Sequence, residues 1–294
     1  MLSEHPVTMN LSGHTKPYAV LGHPIGHTLS PVMHNSAFQA LGMDAVFLAF
    51  NVDPARLMNT LPVMADMGFG GVNLTIPLKE VAFKSLTNLD RSALMLGAVN
   101  TIDFRSNGMT GHNTDGRGFL IALEQAFGTN VAGLSVFVLG SGGAGRAVAM
   151  TCAAEQAARV AVTGKGNERA QQVSAEISQI VSGAVVETVP ANRQAWEEAC
   201  RTADLIVQAT PVGMGRRDDS LLGPSAFHDG QIVIDLIYMY PETAFMKAAR
   251  EGGAKTANGL GMLLHQGACA FTIWTEQEPP LDVMRKALEQ EVYR

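Results

Sequence analysis

Cysteine is scarce in this chain. Cys152, Cys200 and Cys269 are the only three in 294 residues, odd in number and far apart. That excludes a disulfide framework and a zinc ribbon, and fits inert thiols in a reducing cytoplasm. A basic excess is also missing: 21 Lys and Arg stand against 27 Asp and Glu, for a formal charge of −6. A nucleic-acid binder usually carries the opposite balance, so no nucleic-acid partner is expected. No apolar run reaches the roughly 18 residues of a membrane span, so no membrane partner is expected either. Met1 to Lys16 is polar, carries Glu4, and has neither a basic start nor an apolar centre. It reads as a loose leader, not a secretory signal. His23, His27 and His34 lie near one another, but without ligand spacing or an accompanying carboxylate or cysteine, so no metal is expected.

What is present points to a globular α/β chain. Hydrophobic residues make up 47% and charged residues 16%, enough apolar material for a real core. At about 100–200 residues per domain, the length suggests two domains. Strand and helix patterns alternate. Tyr18–Leu21, Ala45–Val52 and Gly71–Ile76 read as strands. Helical stretches follow Pro31, with Ser30 as its cap and Gly42 as its stop, and follow Asp53-Pro54 to about Asp66. Lys79–Leu96 reads as a helix with a break near Thr87. Val99–Phe104 and Met109–Asn113 flank Ser106-Asn107-Gly108, a hairpin signal. Then come a helix over Asp115–Phe127, an apolar strand over Leu134–Leu139, a helix from Gly145 to about Gln156, a strand over Arg159–Thr163 and a helix over Glu168–Val181. Strands are expected at Val185–Val189, Asp204–Gln208 and Ile232–Leu236, and helices at Gly261–Trp274 and Leu281–Val292. This order implies mostly parallel sheets with helices on both faces.

One turn carries specific chemistry. Gly140-Ser141-Gly142-Gly143-Ala144-Gly145 fits G-x-G-x-x-G, follows an apolar strand and opens a helix. The first glycine permits a tight turn, the second a close approach to a pyrophosphate, and the third close packing of helix on strand. Free N–H groups at the helix start suit phosphates. An NAD enzyme often has a carboxylate about 20 residues on, for the ribose hydroxyls. That place reads Thr163-Gly164-Lys165 and has none. Lys165 and Arg146 are cations suited to a 2′-phosphate, which favours NADP, with NAD as the alternative.

Before this turn, polar residues gather where strands are expected to end: His27-Thr28-Leu29-Ser30, Asn73-Leu74-Thr75-Ile76-Pro77-Leu78-Lys79, Val99-Asn100-Thr101 and Asn113-Thr114-Asp115-Gly116. Ligands of open α/β sheets bind outside the carboxyl ends of strands, so these segments can converge on one cleft. Lys79 as an ammonium can stabilise a developing alkoxide and supply its proton, and Asp115 can orient it. The hydroxyls of Thr28 and Ser30 can donate to a carboxylate. Taken singly, Lys79 reads as a surface lysine, Asp115 and Ser30 as helix caps, and Gln266 as a buried amide with a local partner.

Taken together, the segments resemble a known family. Gly22-His23-Pro24-Ile25-Gly26-His27-Thr28-Leu29-Ser30-Pro31 with His34-Asn35, the lysine segment 73–79, Gly97-Ala98-Val99-Asn100-Thr101, Gly111-His112-Asn113-Thr114-Asp115-Gly116, the glycine turn, Ala209-Thr210-Pro211-Val212-Gly213-Met214 and Gly261-Met262-Leu263-Leu264-His265-Gln266-Gly267 are similar, in order, to motifs of the shikimate dehydrogenase family. The resemblance runs from about residue 17 to 275. It implies an N-terminal α/β substrate domain, residues 1–114 with 259–294, and a Rossmann doubly wound dinucleotide domain, residues 115–258. It implies reversible NADP-linked oxidation of shikimate, a step of aromatic amino acid and chorismate biosynthesis, by a monomer or homodimer. Lys79 and Asp115 would be the catalytic pair. Thr28 and Ser30 would bind the substrate carboxylate. Thr75, Asn100, Asp115 and Gln266 would hold ring hydroxyls, and Tyr238 would approach from the far side. The cofactor would run along residues 140–146, Thr163, Lys165, Thr210, Met214, Gly259 and Met262.

The chain departs from the family pattern at several places. Thr28 stands where serine is usual, and its methyl narrows the pocket. Leu78 stands where a larger aromatic or histidine is common, and Gln208 replaces an asparagine. Tyr238-Met239-Tyr240-Pro241 replaces Tyr-Asn-Pro, and Thr163-Gly164-Lys165 replaces Asn-Arg-Thr. The alternatives are a quinate or dual-specificity dehydrogenase using NAD, a non-catalytic dinucleotide-binding regulator, and a folate-type dehydrogenase in which the Thr28/Ser30 pair has no evident use.

Overall fold

A computed structural model describes residues 11–105, 108–215 and 218–293. Most of the expected leader (residues 1–10) and the Ser106-Asn107 turn lie outside the described residues.

The first sheet begins with β1 (Lys16–Gly22), followed by α1 (Ser30–Ala40), β2 (Ala45–Asn51), α2 (Leu57–Asp66) and β3 (Gly71–Leu74). β1 pairs in parallel with both β2 and β3. Asp53 accepts a bond from the Ala55 N–H and starts the single 3-10 turn that leads into α2. Ser30 is the first residue of α1 and not its cap. Its own N–H donates to Thr28 Oγ1 at 3.3 Å, and its hydroxyl accepts from Thr28 Oγ1 at 3.3 Å.

The helix expected over 79–96 does break near Thr87, into two helices with a strand between them. α3 (Leu78–Ser85) and α4 (Arg91–Leu96) are separated by the short strand β4 (Asn88–Leu89). Asp90 caps α4 by accepting the Ser92 N–H at 2.9 Å, and β4 pairs with β6. The hairpin is present as β5 (Thr101–Asp103) and β6 (Thr110–His112). β5 runs antiparallel to β3, so this sheet is mixed, in the order β2-β1-β3-β5-β6-β4.

α5 (Asp115–Phe127) leads to the second sheet, which is parallel throughout. In chain order its elements are β7 (Ser135–Leu139), α6 (Gly143–Ala154), β8 (Arg159–Thr163), α7 (Asn167–Ile180), β9 (Val186–Thr188), α8 (Arg193–Arg201), β10 (Leu205–Gln208), β11 (Ile232–Asp235), α9 (Ala244–Glu251) and β12 (Lys255–Asn258). The strand order is β12-β11-β10-β7-β8-β9. The crossing from β9 back to β10 creates a switch point at the end of β7, where ligands of this architecture bind. α8, α9 and β12 are additions to the sequence reading. α8 carried a helical signal, since Ala195, Trp196, Ala199 and Cys200 repeat at three- and four-residue spacing and face the core.

The chain then returns to the first sheet through α10 (Leu260–Thr275) and α11 (Leu281–Val292). Apolar burial drives that return. Phe271 and Trp274 of α10 are fully buried with Tyr18, Phe38 and Phe47, and Trp274 Nε1 donates to the Ile102 carbonyl at 3.0 Å. α5 packs on α10 at very short range. A Cβ on Gly118 would lie 2.6 Å from the Gln266 backbone nitrogen, so glycine is required there. The opposite face of α5 buries Phe119 and Leu123 in the core of the second sheet. The start of α5 is thereby fixed between the two sheets. Among the described residues, no helix is long and apolar enough to cross a membrane.

Candidate active site

The polar segments do converge. Thr28, Ser30, Thr75, Lys79, Asp115, Tyr238 and Gln266 line one cavity of about 200 Å³, together with Ala144, Gly259 and Met262. Thr28 and Ser30 bring their hydroxyls to 3.3 Å at the start of α1. Thr75 follows the end of β3, and the turn through Pro77 puts Lys79 in the first turn of α3. Gln266 arrives on α10, held against Gly118, and its Nε2 donates to the Leu263 carbonyl at 2.9 Å. Burial raises the Tyr238 hydroxyl above its ordinary pKa, so it is a neutral group.

Lys79 Nζ donates to Asp115 Oδ2 at 2.6 Å. The other carboxylate oxygen accepts from Asn100 Nδ2 at 2.9 Å, and the Asp115 N–H donates to Asn113 Oδ1 at 2.9 Å. Thr114 is the residue at the cap position, and Asp115 is the first helical residue. Asn100 is not on the cavity wall but one layer behind it. Its Nδ2 also donates to Thr114 Oγ1, and its Oδ1 accepts from Thr101 Oγ1 and the Thr114 N–H. Asn73 extends this buried chain, donating to Thr101 Oγ1 at 3.0 Å and to the Asn100 carbonyl at 3.1 Å. It also lines the cavity, and its own Oδ1 is buried without a hydrogen-bond partner. A buried acceptor left open is costly, so Asn73 is a donor-seeking group of the site that its place in the lysine motif alone did not single out.

A second cavity of about 320 Å³ shares Lys79 and Asp115 with the first and extends to Gly142, Gly143, Arg146 and Arg169. The glycine turn has the shape a pyrophosphate needs. Gly140 has φ +124°, and a Cβ there would lie 2.7 Å from the Ala209 backbone. A Cβ on Gly145 would lie 1.8 Å from the Gly140 carbonyl oxygen. At Gly142 and Gly143, by contrast, an added Cβ would meet open space at the helix start. Ser141 is buried, with its side chain against Gly164.

The cations near the turn differ in availability. Arg146 is engaged: Nε donates to Glu176 at 2.7 Å, and Nη1 donates to the Leu96 carbonyl at the end of α4. Thr163 faces inward, donating its hydroxyl to the Val189 carbonyl and accepting from Trp196 Nε1, both at 2.9 Å. Lys165 is exposed on the loop beyond β8. Arg169, which the motif reading passed over, donates Nε to the Ser141 carbonyl at 2.9 Å and Nη2 to Glu80 at 3.3 Å. Its place in the first turn of α7 puts it against the glycine turn, a relation no sequence spacing shows.

Thr210 and Met214 sit on the loop after β10, with the Thr210 backbone against Gly140, and neither lines the first cavity. Gly259 does, and a Cβ on it would lie 2.1 Å from the Leu236 carbonyl. The three N-terminal histidines are dispersed. His23 contacts Asn51, His27 lines the cavity, and His34 is buried among aromatic rings. Among the described residues, no group of three or more His, Cys, Asp or Glu is placed to hold a metal.

Comparison with known proteins supplies the family. Residues 20–102 match the shikimate dehydrogenase substrate binding domain, residues 259–289 the shikimate 5′-dehydrogenase C-terminal domain, and residues 136–213 the saccharopine dehydrogenase NADP binding domain. The chain is 40% identical over 284 residues to the shikimate dehydrogenase (NADP+) of Methanopyrus kandleri, covering 96% of this chain and 98% of that one. A solved shikimate dehydrogenase in complex with NADP+ superposes with a TM-score of 0.90 at 34% identity, covering 99% of this chain and 100% of that one. The quinate dehydrogenase of Corynebacterium glutamicum in complex with NAD superposes with a TM-score of 0.85 at 29% identity, covering 94% of this chain and 99% of that one. Near-complete coverage by relatives at this identity, on a fold that brings the ordered motifs into one cleft, places the chain in the shikimate dehydrogenase family.

Proposed function

We propose that this chain interconverts 3-dehydroshikimate and shikimate with NADP(H). The observation that carries this reading is the position of the Lys79–Asp115 pair at the junction of a polar cavity and a glycine-turn groove. The open space over Gly142 and Gly143 fits a pyrophosphate, so residues 140–145 would hold the dinucleotide. Lys165 and Arg169 would face its 2′-phosphate, and Thr210, Met214, Gly259 and Met262 would border it. When bound, NADPH supplies the hydride.

The chain's residues do the rest. Thr28 and Ser30 donate their hydroxyl protons to the substrate carboxylate. Thr75, Gln266 and the open Asn73 acceptor engage ring hydroxyls. Lys79 Nζ holds its ammonium protons toward the reacting oxygen, stabilises negative charge there and delivers the proton. Asp115 keeps Lys79 in place and accepts from a neighbouring substrate hydroxyl, while Asn100 holds Asp115 from behind. In this reading residues 1–114 with 259–294 hold the substrate, and residues 115–258 hold the dinucleotide.

A second reading, quinate oxidation with NAD, is favoured by one observation: the loop after β8 has Gly164 and Lys165 where the family has Arg-Thr. Four assays decide, shikimate and quinate each with NADP+ and NAD+, followed at 340 nm. Turnover of shikimate with NADP+ as the fastest pair supports the first reading. Preference for quinate with NAD+ selects the second, and no turnover with any pair leaves the non-catalytic regulator.

A further inference from the structure

Asp235 has no place in the chemistry above, yet it is fully buried at the end of β11. Its strand neighbour in register is Gln208, the last residue of β10, also fully buried. Three donors converge on the carboxylate. Thr243 Oγ1 donates to Oδ2 at 2.6 Å, and the Ile237 N–H and Gln208 Nε2 donate to Oδ1 at 3.0 and 3.3 Å. Gln208 passes the hold on: Nε2 donates to the Val212 carbonyl at 2.8 Å, and Oε1 accepts the Thr210 N–H.

The two loops fixed in this way frame the reaction centre. Residues 209–214 carry Ala209 and Thr210, whose backbone lies against Gly140 of the glycine turn, and Met214. Residues 236–243 carry Leu236 and Tyr238, which line the substrate cavity. The loops also meet each other, through Tyr240 Oη donating to the Met214 carbonyl at 2.9 Å and through Gly213 against Ile237.

We propose that Asp235 is a positioning residue for hydride transfer, its carboxylate locking the 209–214 and 236–243 loops into one rigid wall at the nicotinamide end of the cleft. The proposal rests on the dinucleotide-dependent reading above.

An acceptor-only group suits this place. The donors number three, and Thr243 Oγ1 already accepts the Met246 N–H as the cap of α9. An asparagine at 235 has one acceptor oxygen, so its NH2 would face either the Thr243 hydroxyl or the Ile237 and Gln208 donors and leave that side without an acceptor. Burial pushes the Asp235 carboxyl up to about 6, opposed by the Thr243 and Ile237 bonds. The fold therefore holds this carboxylate ionised at neutral pH against the tendency of its surroundings, as is common for groups with a functional task.

The experiment is steady-state kinetics at pH 8 with shikimate and NADP+, using shikimate deuterated at the oxidised carbon as the second substrate. Wild-type turnover is the control, and its absence overturns the functional reading and this proposal with it. Given turnover, Asp235→Ala is expected to lower kcat by about tenfold or more, because a small misplacement of reacting atoms is costly. It is expected to raise the KM for NADP+ by about fivefold, since the 209–214 loop is on the cofactor side. The deuterium isotope effect should rise as the hydride step becomes more limiting. Asp235→Asn should fall between Asp235→Ala and wild type. Gln208→Leu keeps the volume and removes the amide, and it should shift the same parameters in the same direction even where Asp235→Ala fails to fold. Activity lost only in proportion to folded protein, with wild-type KM for NADP+ and wild-type isotope effect in both variants, overturns the proposal.

Discussion

Lys79 Nζ lies 2.6 Å from Asp115 Oδ2, and this contact is where the polar cavity and the groove beside the glycine turn meet. The lysine comes from the first turn of α3 and the aspartate from the first turn of α5, 36 residues apart. Both carboxylate oxygens are engaged, while two ammonium protons remain for the cleft.

Removing the lysine should therefore spare binding and stop proton delivery. Lys79→Ala is expected to lower kcat by about 100-fold or more, the scale of a lost general acid. Substrate affinity, measured by calorimetry, should fall far less. Asp115→Asn keeps an acceptor for Asn100 but loses the ion pair, and it should lower kcat in the same sense. A Lys79→Ala enzyme within threefold of wild-type turnover would remove Lys79 from the mechanism.

Cofactor choice should follow the two exposed cations near the turn, Lys165 and Arg169. Lys165→Ala and Arg169→Ala are each expected to raise the KM for NADP+ by about tenfold, the scale of one charge-assisted phosphate contact, with little change for NAD+. The ratio of kcat/KM values for the two cofactors is the measurement. An unchanged ratio in the double variant assigns the 2′-phosphate elsewhere. Arg146→Ala should instead lower the melting temperature, because its guanidinium ties α6 to Glu176 and to the end of α4.

Gly118 tests the seating of the site. A Cβ there would press on the Gln266 backbone at 2.6 Å and force α5 from α10. Gly118→Ala is expected to destabilise by about 1–3 kcal/mol, as overpacking does. Because α5 carries Asp115 and α10 carries Gln266, the KM for shikimate should rise in the same variant. Thermal melts and substrate titration read the two effects separately, and a variant with wild-type values of both would show that the helices can part without cost.

Acid stability should depend on His34. It is fully buried with both ring nitrogens unpartnered, stacked on Phe47 with ring centroids 4.3 Å apart, and burial pushes its pKa down to about 3. The unfolded chain binds a proton there near 6.5 and the native state does not until about 3. Its contribution is therefore intact above 6.5 and is lost as pH falls from 6.5 toward 3, by roughly 4–5 kcal/mol in all. His34→Leu removes the ionisable group at similar volume. Urea unfolding at pH 7.5 and 4.5 should show a smaller loss in the variant, whereas an equal loss in both proteins would place the acid sensitivity elsewhere.

Much of this was legible in the chain itself. The apolar strand over 134–139, the glycines after it and the helix that follows are local features, so the strand–turn–helix could be read from spacing alone. Lys79 and Asp115 lie in the first turns of the helices that follow β3 and β6, Ser30 opens α1 after β1, and Asn100 directly precedes β5. The sequence was less explicit where long-range pairing overrides local pattern. β4 interrupts a helical run because β6 offers it a partner, and Ser30 leaves the cap position because Thr28 takes its N–H.

Residue types and spacing determined the fold class, the glycine turn and the set of polar groups available for chemistry. Tertiary structure decided how those groups are used. It moved Asn100 behind Asp115, tied Arg146 to Glu176, turned Thr163 inward, brought Arg169 to the turn and buried Asp235 beneath two loops. The physical reason is that hydrogen bonds and ion pairs form between whichever groups the packing brings within about 3 Å, and packing is set by apolar surfaces far apart in the chain.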